Sequence, residues 1–191
     1  MVLEGLLTTG NADGTVNIAP MGPVVDETCD KIVLRPFQTS TTYANLQRSG
    51  GAVFHVTDDV LLLAQAAVGR IEPFPTTIAA ETIVGSVLQD CCRWYELQVR
   101  SIDSSAPRAT IETVIRKVGH GREWFGFNRA RHAVLEAAIL ATRVGIRPPD
   151  EILRQLVWLK PMVDKTGGAR ENDAWHLVET VIHQRLKAEC P

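Results

Sequence analysis

The sequence lacks the features that announce several common functions. It has 4 cysteines and 6% aromatic residues in 191, with no C-x-x-C or H-E-x-x-H pattern, so a structural zinc or zinc-protease site has no foundation. Cys29, Cys91, Cys92 and Cys190 are expected to be reduced structural thiols, with Cys91 and Cys92 on opposite faces of a strand. A membrane-spanning helix needs roughly 20 apolar residues, and the longest apolar run, near Val60–Val68, is interrupted by Gln65. Met1-Val2-Leu3-Glu4 carries neither the basic start nor the apolar segment of a signal peptide, which sets the cytoplasm as the expected location. No Ser/His/Asp or Cys/His set with recognisable spacing argues for covalent catalysis. "GHGREWFG" has glycines but not the G-x-G-x-x-G spacing of a dinucleotide fold.

What is present is an ordinary globular composition, 45% apolar with a net charge of −2, which suits one domain or a domain with a smaller appendage. The small net charge hides an asymmetry. Residues 1–92 hold 4 basic and 10 acidic side chains, giving −6. Residues 93–147 hold 10 basic and 5 acidic, giving +5, and residues 148–191 come to −1. The basic middle has no clustered basic runs or interleaved aromatics, so a solvated face or an anionic small ligand is favoured over nucleic acid.

Leu3–Thr9 and Thr15–Met21 flank "GNADG", whose Asp13-Gly14 marks a hairpin turn. Lys31–Arg35 reads as a short strand. "QTSTTYANLQRSGG" reads as a helix capped by Ser40, Thr41 or Thr42 and stopped at Gly50-Gly51. Ala52–Thr57 is a further strand, a helix begins near Asp58-Asp59, and residues 69–80 are a loop. Arg93–Ile102 and Ala109–Val118 are long strands suited to a curled antiparallel sheet or barrel. After "GHGREWFGF" the pattern becomes helical: Asn128–Val144 behind an Asn cap, Asp150–Leu159, and Glu171–Lys187 with Ala174, Trp175, Val178, Val181 and Ile182 on one face. The expected organisation is α+β, with a β-rich body over residues 1–123 and a helical subdomain over 124–191 packed on it.

The strand "VNIAPM" raises a question, because Asn17 and Pro20 stand where a core strand carries Val or Ile. Proline is tolerated where the backbone turns an open edge outward. That edge is either an ordinary bulging edge strand or a place where the free peptide groups, beside small Ala19 and Gly22, meet a flat heterocycle. The second piece is "LRPFQTSTTYANL". Backbone N–H groups at a helix N-terminus, the Ser40, Thr41 and Thr42 hydroxyls and the Arg35 guanidinium together form a cup for a phosphate monoester, or an ordinary capped helix. Side by side, the two pieces describe a site for a flat ring tethered to a phosphate.

The order "DGTVNIAPMG … LRPFQTSTTYANL … FHVTDD" resembles the FMN-binding split-barrel superfamily of flavin reductases and pyridoxamine phosphate oxidases. "GFNRARHAVLEAAILATR" is similar to the hallmark of one branch, domain-of-unknown-function family 447. The resemblance implies a six-stranded split barrel that dimerises, with FMN in a groove at or near the subunit interface. Asn17, Ala19, Pro20 and Met21 would line the isoalloxazine; Arg35, Ser40, Thr41, Thr42 and Asn45 would hold the phosphate. His55 stands where the family pattern has Asn, and is either a flavin contact or a hydrogen-bonded structural histidine. The expected activity is hydride or electron transfer with transient NAD(P)H. The alternatives are a non-enzymatic flavin carrier and a split-barrel dimer that binds another anionic metabolite.

Overall fold

A computed structural model describes residues 1–189; Cys190, one of the four expected thiols, lies outside the described residues. The chain forms two compact units, one of residues 1–57 and 75–124, the other of 58–74 and 125 onward. No helix among the described residues is long and apolar enough to cross a membrane.

The first unit is built on a hairpin. β1 (Gly5–Gly10) pairs antiparallel with β2 (Val16–Met21) across the Asp13-Gly14 turn, where Gly14 takes φ 86°. The same register runs on past β2: Val2 bridges Val24, Leu3 N–H donates to Pro23 O at 3.1 Å, and Val25 N–H donates to Met1 O at 2.8 Å. β3 (Val24–Val25) is therefore the continuation of β2 beyond Gly22-Pro23. It pairs on its other side with β4 (Ile32–Leu34). After α1 (Thr41–Ser49) come β5 (Gly51–Val56), a short β6 (Thr77–Ala79) and β7 (Ser86–Leu88) hairpin, and the long β8 (Arg93–Asp103) and β9 (Thr110–His120).

The main sheet has the order β2-β1-β5-β8-β9-β4-β3, seven strands rather than the six expected. The extra strand arises because the Gly22-Pro23 break divides one hairpin arm into two. Since β2 and β3 follow each other along β1, the first and last strands of the list meet and the antiparallel sheet curls back on itself. Register shifts at Glu96/Leu97 and Val99/Ser101 supply bends in its longest pair. Leu7, Ala52, Phe54, Tyr95, Leu97 and Ile111 fill the concave side, and Leu46 and Tyr43 of α1 pack among them.

The convex side of β1, β5 and β8 is covered by residues 75–91 and clasped by three buried polar side chains. Thr8 Oγ1 donates to Ser86 O at 2.5 Å. Leu88 N–H donates to His55 Nε2 at 3.0 Å. The Glu96 carboxylate accepts from Glu81 N–H at 3.0 Å, Thr82 N–H at 2.7 Å and the Thr82 hydroxyl at 2.6 Å. Burial alone would raise the Glu96 pKa, but these donors outweigh it and hold the carboxyl below its ordinary value. The stretch expected to be a loop thus contains β6 at its end. Cys91 and Cys92 precede β8 rather than lying within it, and Cys29, Cys91 and Cys92 are free thiols.

The second unit gathers α2 (Val60–Val68), α3 (Arg129–Ala141), α4 (Pro149–Thr166) and α5 (Ala169–Glu189). Asp59 caps α2, accepting from Leu62 N–H, and Asn128 caps α3, accepting from Arg131 N–H. The buried Ala130, Ala133, Ala137, Ala138 and Ala141 let α3 approach its neighbours closely, and Trp175, Val178 and Ile182 of α5 are buried. α4 starts one residue before the expected Asp150 cap, with Pro149 at its first turn, and runs seven residues past Leu159. Among the tryptophans, Trp175 is buried, whereas Trp124 and Trp158 are exposed.

Candidate functional site

The hairpin register explains the unusual composition of β2. Met1 and Val25 exchange backbone hydrogen bonds, and the Leu3 and Asn11 N–H groups donate to Pro23 O and Thr15 O, so odd-numbered residues of this arm bond to the first arm. The two-residue period turns the peptide groups of Ile18 and Pro20 away from β1. At Val24 that outer edge is taken by β4; beside β2 no strand among the described residues covers it. Pro20, with no N–H to give, sits at a position facing the open edge, as an edge proline must. The outward groups are then Ile18 N–H, Ile18 C=O and Pro20 C=O. Asn17, Ala19 and Met21 point to the concave side and are half-buried.

α1 starts against this strand. Asn17 Nδ2 donates to Thr42 Oγ1 and to Thr9 Oγ1, both at 3.1 Å. Asn45 Nδ2 donates to Thr9 Oγ1 at 3.0 Å and to Asn11 Oδ1 at 2.8 Å. Five polar side chains, those of Thr9, Asn11, Asn17, Thr42 and Asn45, therefore lock the helix to the hairpin, and Thr42 and Asn45 are buried in doing so. Ser40 is the N-cap: its hydroxyl donates to Phe37 O at 2.7 Å and accepts from Tyr43 N–H at 3.2 Å. Gly50, at φ 67°, closes the helix.

The groups left facing outward at the start of α1 are the exposed Thr41 and Arg35 side chains and the first helical N–H groups, which have no intrahelical acceptor. Arg108, which the sequence reading did not single out, joins them. Its guanidinium lies 3.9 Å from the Phe37 ring centroid and donates to Arg35 O at 3.2 Å. The Gln38 side chain donates to Ser104 O and Ala106 O, and Tyr43 Oη meets Ser104 Oγ at 2.7 Å, so the β8–β9 turn is fastened to the loop before α1. No local motif marks Arg108; only the pairing of Phe37 with it across the sheet does so.

The structure brings Asn17, Thr42 and Asn45 into one hydrogen-bonded group, with Ala19, Pro20 and Met21 further along the same strand. His55 stands apart. It is 0% exposed, Nδ1–H donates to Leu6 O at 3.2 Å, and Nε2 accepts from Leu88 N–H. With both nitrogens engaged on the convex side, its ring belongs to the clasp over residues 75–91.

In the helical unit, Arg131 of "GFNRARH" forms ion pairs with Asp58 at 2.7 Å and Glu171 at 2.9 Å, and lies over the Phe125 ring. Asp58 Oδ2 also accepts from Phe125 N–H at 3.1 Å, and Asn128 Nδ2 donates to Thr166 O at 3.0 Å. This motif holds together the starts of α2, α3 and α5 and the end of α4. No group of three or more metal-binding side chains occurs among the described residues.

The chain matches the family described as "Protein of unknown function (DUF447) N-terminal domain" over residues 3–120, and "Protein of unknown function (DUF447)" over residues 128–180. It belongs to the DUF447 family. Among solved structures, this DUF447 chain is similar to the FMN-bound protein MM1853 from Methanosarcina mazei, of the same family. The TM-score is 0.81 at 22% identity, over 94% of each chain. It is also similar to the flavin reductase of styrene monooxygenase from Pseudomonas putida S12, with a TM-score of 0.52 at 12% identity over 62% of this chain and 79% of that one. Flavoredoxin of Desulfovibrio vulgaris gives 0.52 at 13% identity over 63% and 70%. At these identities the likeness shows the shared fold. A search of curated proteins finds no match.

Proposed function

We propose that this DUF447 protein binds FMN along the open edge of β2, with the phosphate at the start of α1, and serves hydride or electron transfer as a cytoplasmic homodimer. The observation that carries the reading is the hydrogen bond from Asn17 to Thr42, which brings the two pieces together. A ring edge would find one peptide donor and two peptide acceptors at Ile18 and Pro20, with small Ala19 beside them. A phosphate would find the first N–H groups of α1, the Thr41 hydroxyl and the Arg35 and Arg108 guanidiniums. The donor set fits a phosphorylated flavin.

The hydrogen-bonded Thr9–Asn17–Thr42–Asn45 group acts indirectly. It fixes the helix start relative to the strand, so that ring and phosphate sites keep one spacing. Ser40 orients the first turn through its cap, and His55 has no part in the site. When bound, the flavin supplies the redox chemistry, and the chain supplies placement and the hydrogen bonds that adjust its potential. Free thiols suit a reducing compartment. The FMN-bound relative and the flavin reductase fold support the reading.

Anaerobic addition of NADH or NADPH to the FMN-loaded protein tests the activity. Bleaching of the flavin's visible absorbance that recovers with air is the expected result. Persistent colour with both nucleotides excludes the reductase reading. Replacing Arg35 with Ala removes a charge-assisted phosphate contact and should weaken FMN by about tenfold or more.

A further inference from the structure

The segment "GHGREWFG" has no role in the fold's flavin platform, yet its start is built with care. Gly119 lies directly opposite Trp94 in the β8–β9 register, and a Cβ there would come within 2.1 Å of the indole. A Cβ on Gly121 would meet Cys91 O at 2.1 Å. The two glycines let the strand pass beneath Trp94 and Cys91. Between them His120 faces the other way, opposite Arg93.

Arg93 and His120 belong to one cross-strand row. Arg93 pairs with Val56 on β5, and continuing the β1–β5 register sets Val56 opposite Gly5, which pairs with Met21. The row thus begins at Met21, the end of the candidate ring platform, and reaches Arg93 three strand spacings away, about 14 Å. At that place is a cleft of about 400 Å³ lined by Val56, Cys92, Arg93, His120, Arg122 and Trp124, a volume within the range of small-molecule sites.

Arg93 donates to Tyr95 Oη at 3.2 Å and has no carboxylate partner among the described residues, nor has His120. Arg122 is ion-paired with Asp90 at 2.6 Å, and Glu123 at the rim is the one carboxylate residue in the lining. Two N–H-bearing side chains set opposite each other, without an acid between them, form a floor that favours an anion over a cation. Trp124, 50% exposed, offers an apolar face beside it.

We infer that this cleft binds the oxyanion, carboxylate or phosphate, of a small planar molecule: Arg93 and His120 donate to the oxyanion and the Trp124 ring covers the plane. A ligand held there extends toward Met21, where a reactant of a flavin bound on β2 would have to lie. Its role as a substrate subsite rests on the flavin reading; the binding itself does not.

The test uses tryptophan fluorescence of the full chain without flavin, titrated with benzoate, phenyl phosphate and neutral benzamide. Saturable quenching by benzoate or phenyl phosphate, absent with benzamide, is expected, and whichever anion binds tighter identifies the oxyanion. Arg93→Gln and His120→Gln, both at exposed side chains, should weaken it by roughly ten- to hundredfold and by severalfold respectively. Trp124→Phe should remove the signal while equilibrium dialysis still detects binding. Thermal melts of the variants should match the parent protein. Benzamide binding as well as benzoate, or undiminished binding to Arg93→Gln, overturns the inference. FMN titration of Arg93→Gln should match the parent protein. Benzoate binding without FMN binding sinks the flavin reading alone; FMN binding without benzoate or phenyl phosphate binding sinks the cleft alone.

Discussion

His55 ties the stability of the β-rich unit to pH in a calculable way. Its ring is fully buried, and because Nε2 accepts the Leu88 N–H, the proton must sit on Nδ1, where it bonds Leu6 O. A second proton would remove the acceptor that Leu88 uses and place a charge in the core. Burial accordingly pushes the pKa down from 6.5 to about 4, with the Leu6 carbonyl opposing part of that shift. Between those values the unfolded chain takes up a proton and the native one does not. Stability is therefore full above pH 6.5 and falls as the pH drops toward 4, by about 3 kcal/mol. Urea unfolding followed by circular dichroism measures it, comparing the wild type with His55→Gln, whose carboxamide can donate and accept without titrating. Between about pH 7 and pH 4 the wild type should lose roughly 3 kcal/mol more than the variant. Parallel stability curves, or a His55 resonance that titrates near 6.5 in the folded protein, would refute the assignment of a neutral, doubly bonded ring.

Two other perturbations follow from buried charge. Glu96→Gln replaces an acceptor of three hydrogen bonds with a group that directs an N–H at one of the donors. The expected loss is about 2 kcal/mol, with faster hydrogen exchange at the Glu81 and Thr82 amides, and unchanged exchange there would argue against the clasp. Arg131→Ala leaves the Asp58 carboxylate, only 2% exposed, without the guanidinium that faces it. Losses of about 3–5 kcal/mol are typical when one partner of a buried pair is removed. Calorimetry should show the lowered transition, and restoration of stability in Asp58→Asn/Arg131→Gln would identify the loss of the guanidinium beside the Asp58 charge as the cause.

The elements that local chemistry dictates were legible in the sequence. Asp13-Gly14, the Ser40 and Gly50 boundaries of α1 and the Asn128 cap of α3 each need only a few neighbouring residues. Long β8 and β9 showed themselves by β-branched content. What stayed hidden depends on partners distant in the chain. β3 is two residues long and exists because the β1 register carries past Gly22-Pro23. β6 and β7 lie in a Pro-rich stretch whose strands are three residues each, held by Thr8, His55 and Glu96 from other parts of the chain. Pro161 forfeits one helical hydrogen bond without ending α4, so the expected stop near Leu159 came too early. At the candidate site the Ser/Thr-rich helix start and the odd composition of β2 were readable. The structural alternative for His55 was readable too, though not its partners Leu6 and Leu88; the inward use of Thr42 and Asn45 and the role of Arg108 were not, because each is a matter of which face a side chain occupies once the sheet has curled.

The most direct measurement is a pair of titrations, FMN and riboflavin, into the full-length protein stripped of flavin, followed by flavin fluorescence and absorbance. Both ligands present the same ring to the Ile18 and Pro20 peptide groups, and only FMN presents a phosphate to the α1 N-terminus, Arg35 and Arg108. The expected result is one FMN per chain, with riboflavin weaker by at least about tenfold and that difference shrinking in Arg35→Ala. Equal affinity for the two flavins, or no saturable binding of either, would contradict a ring-and-phosphate site on these two segments.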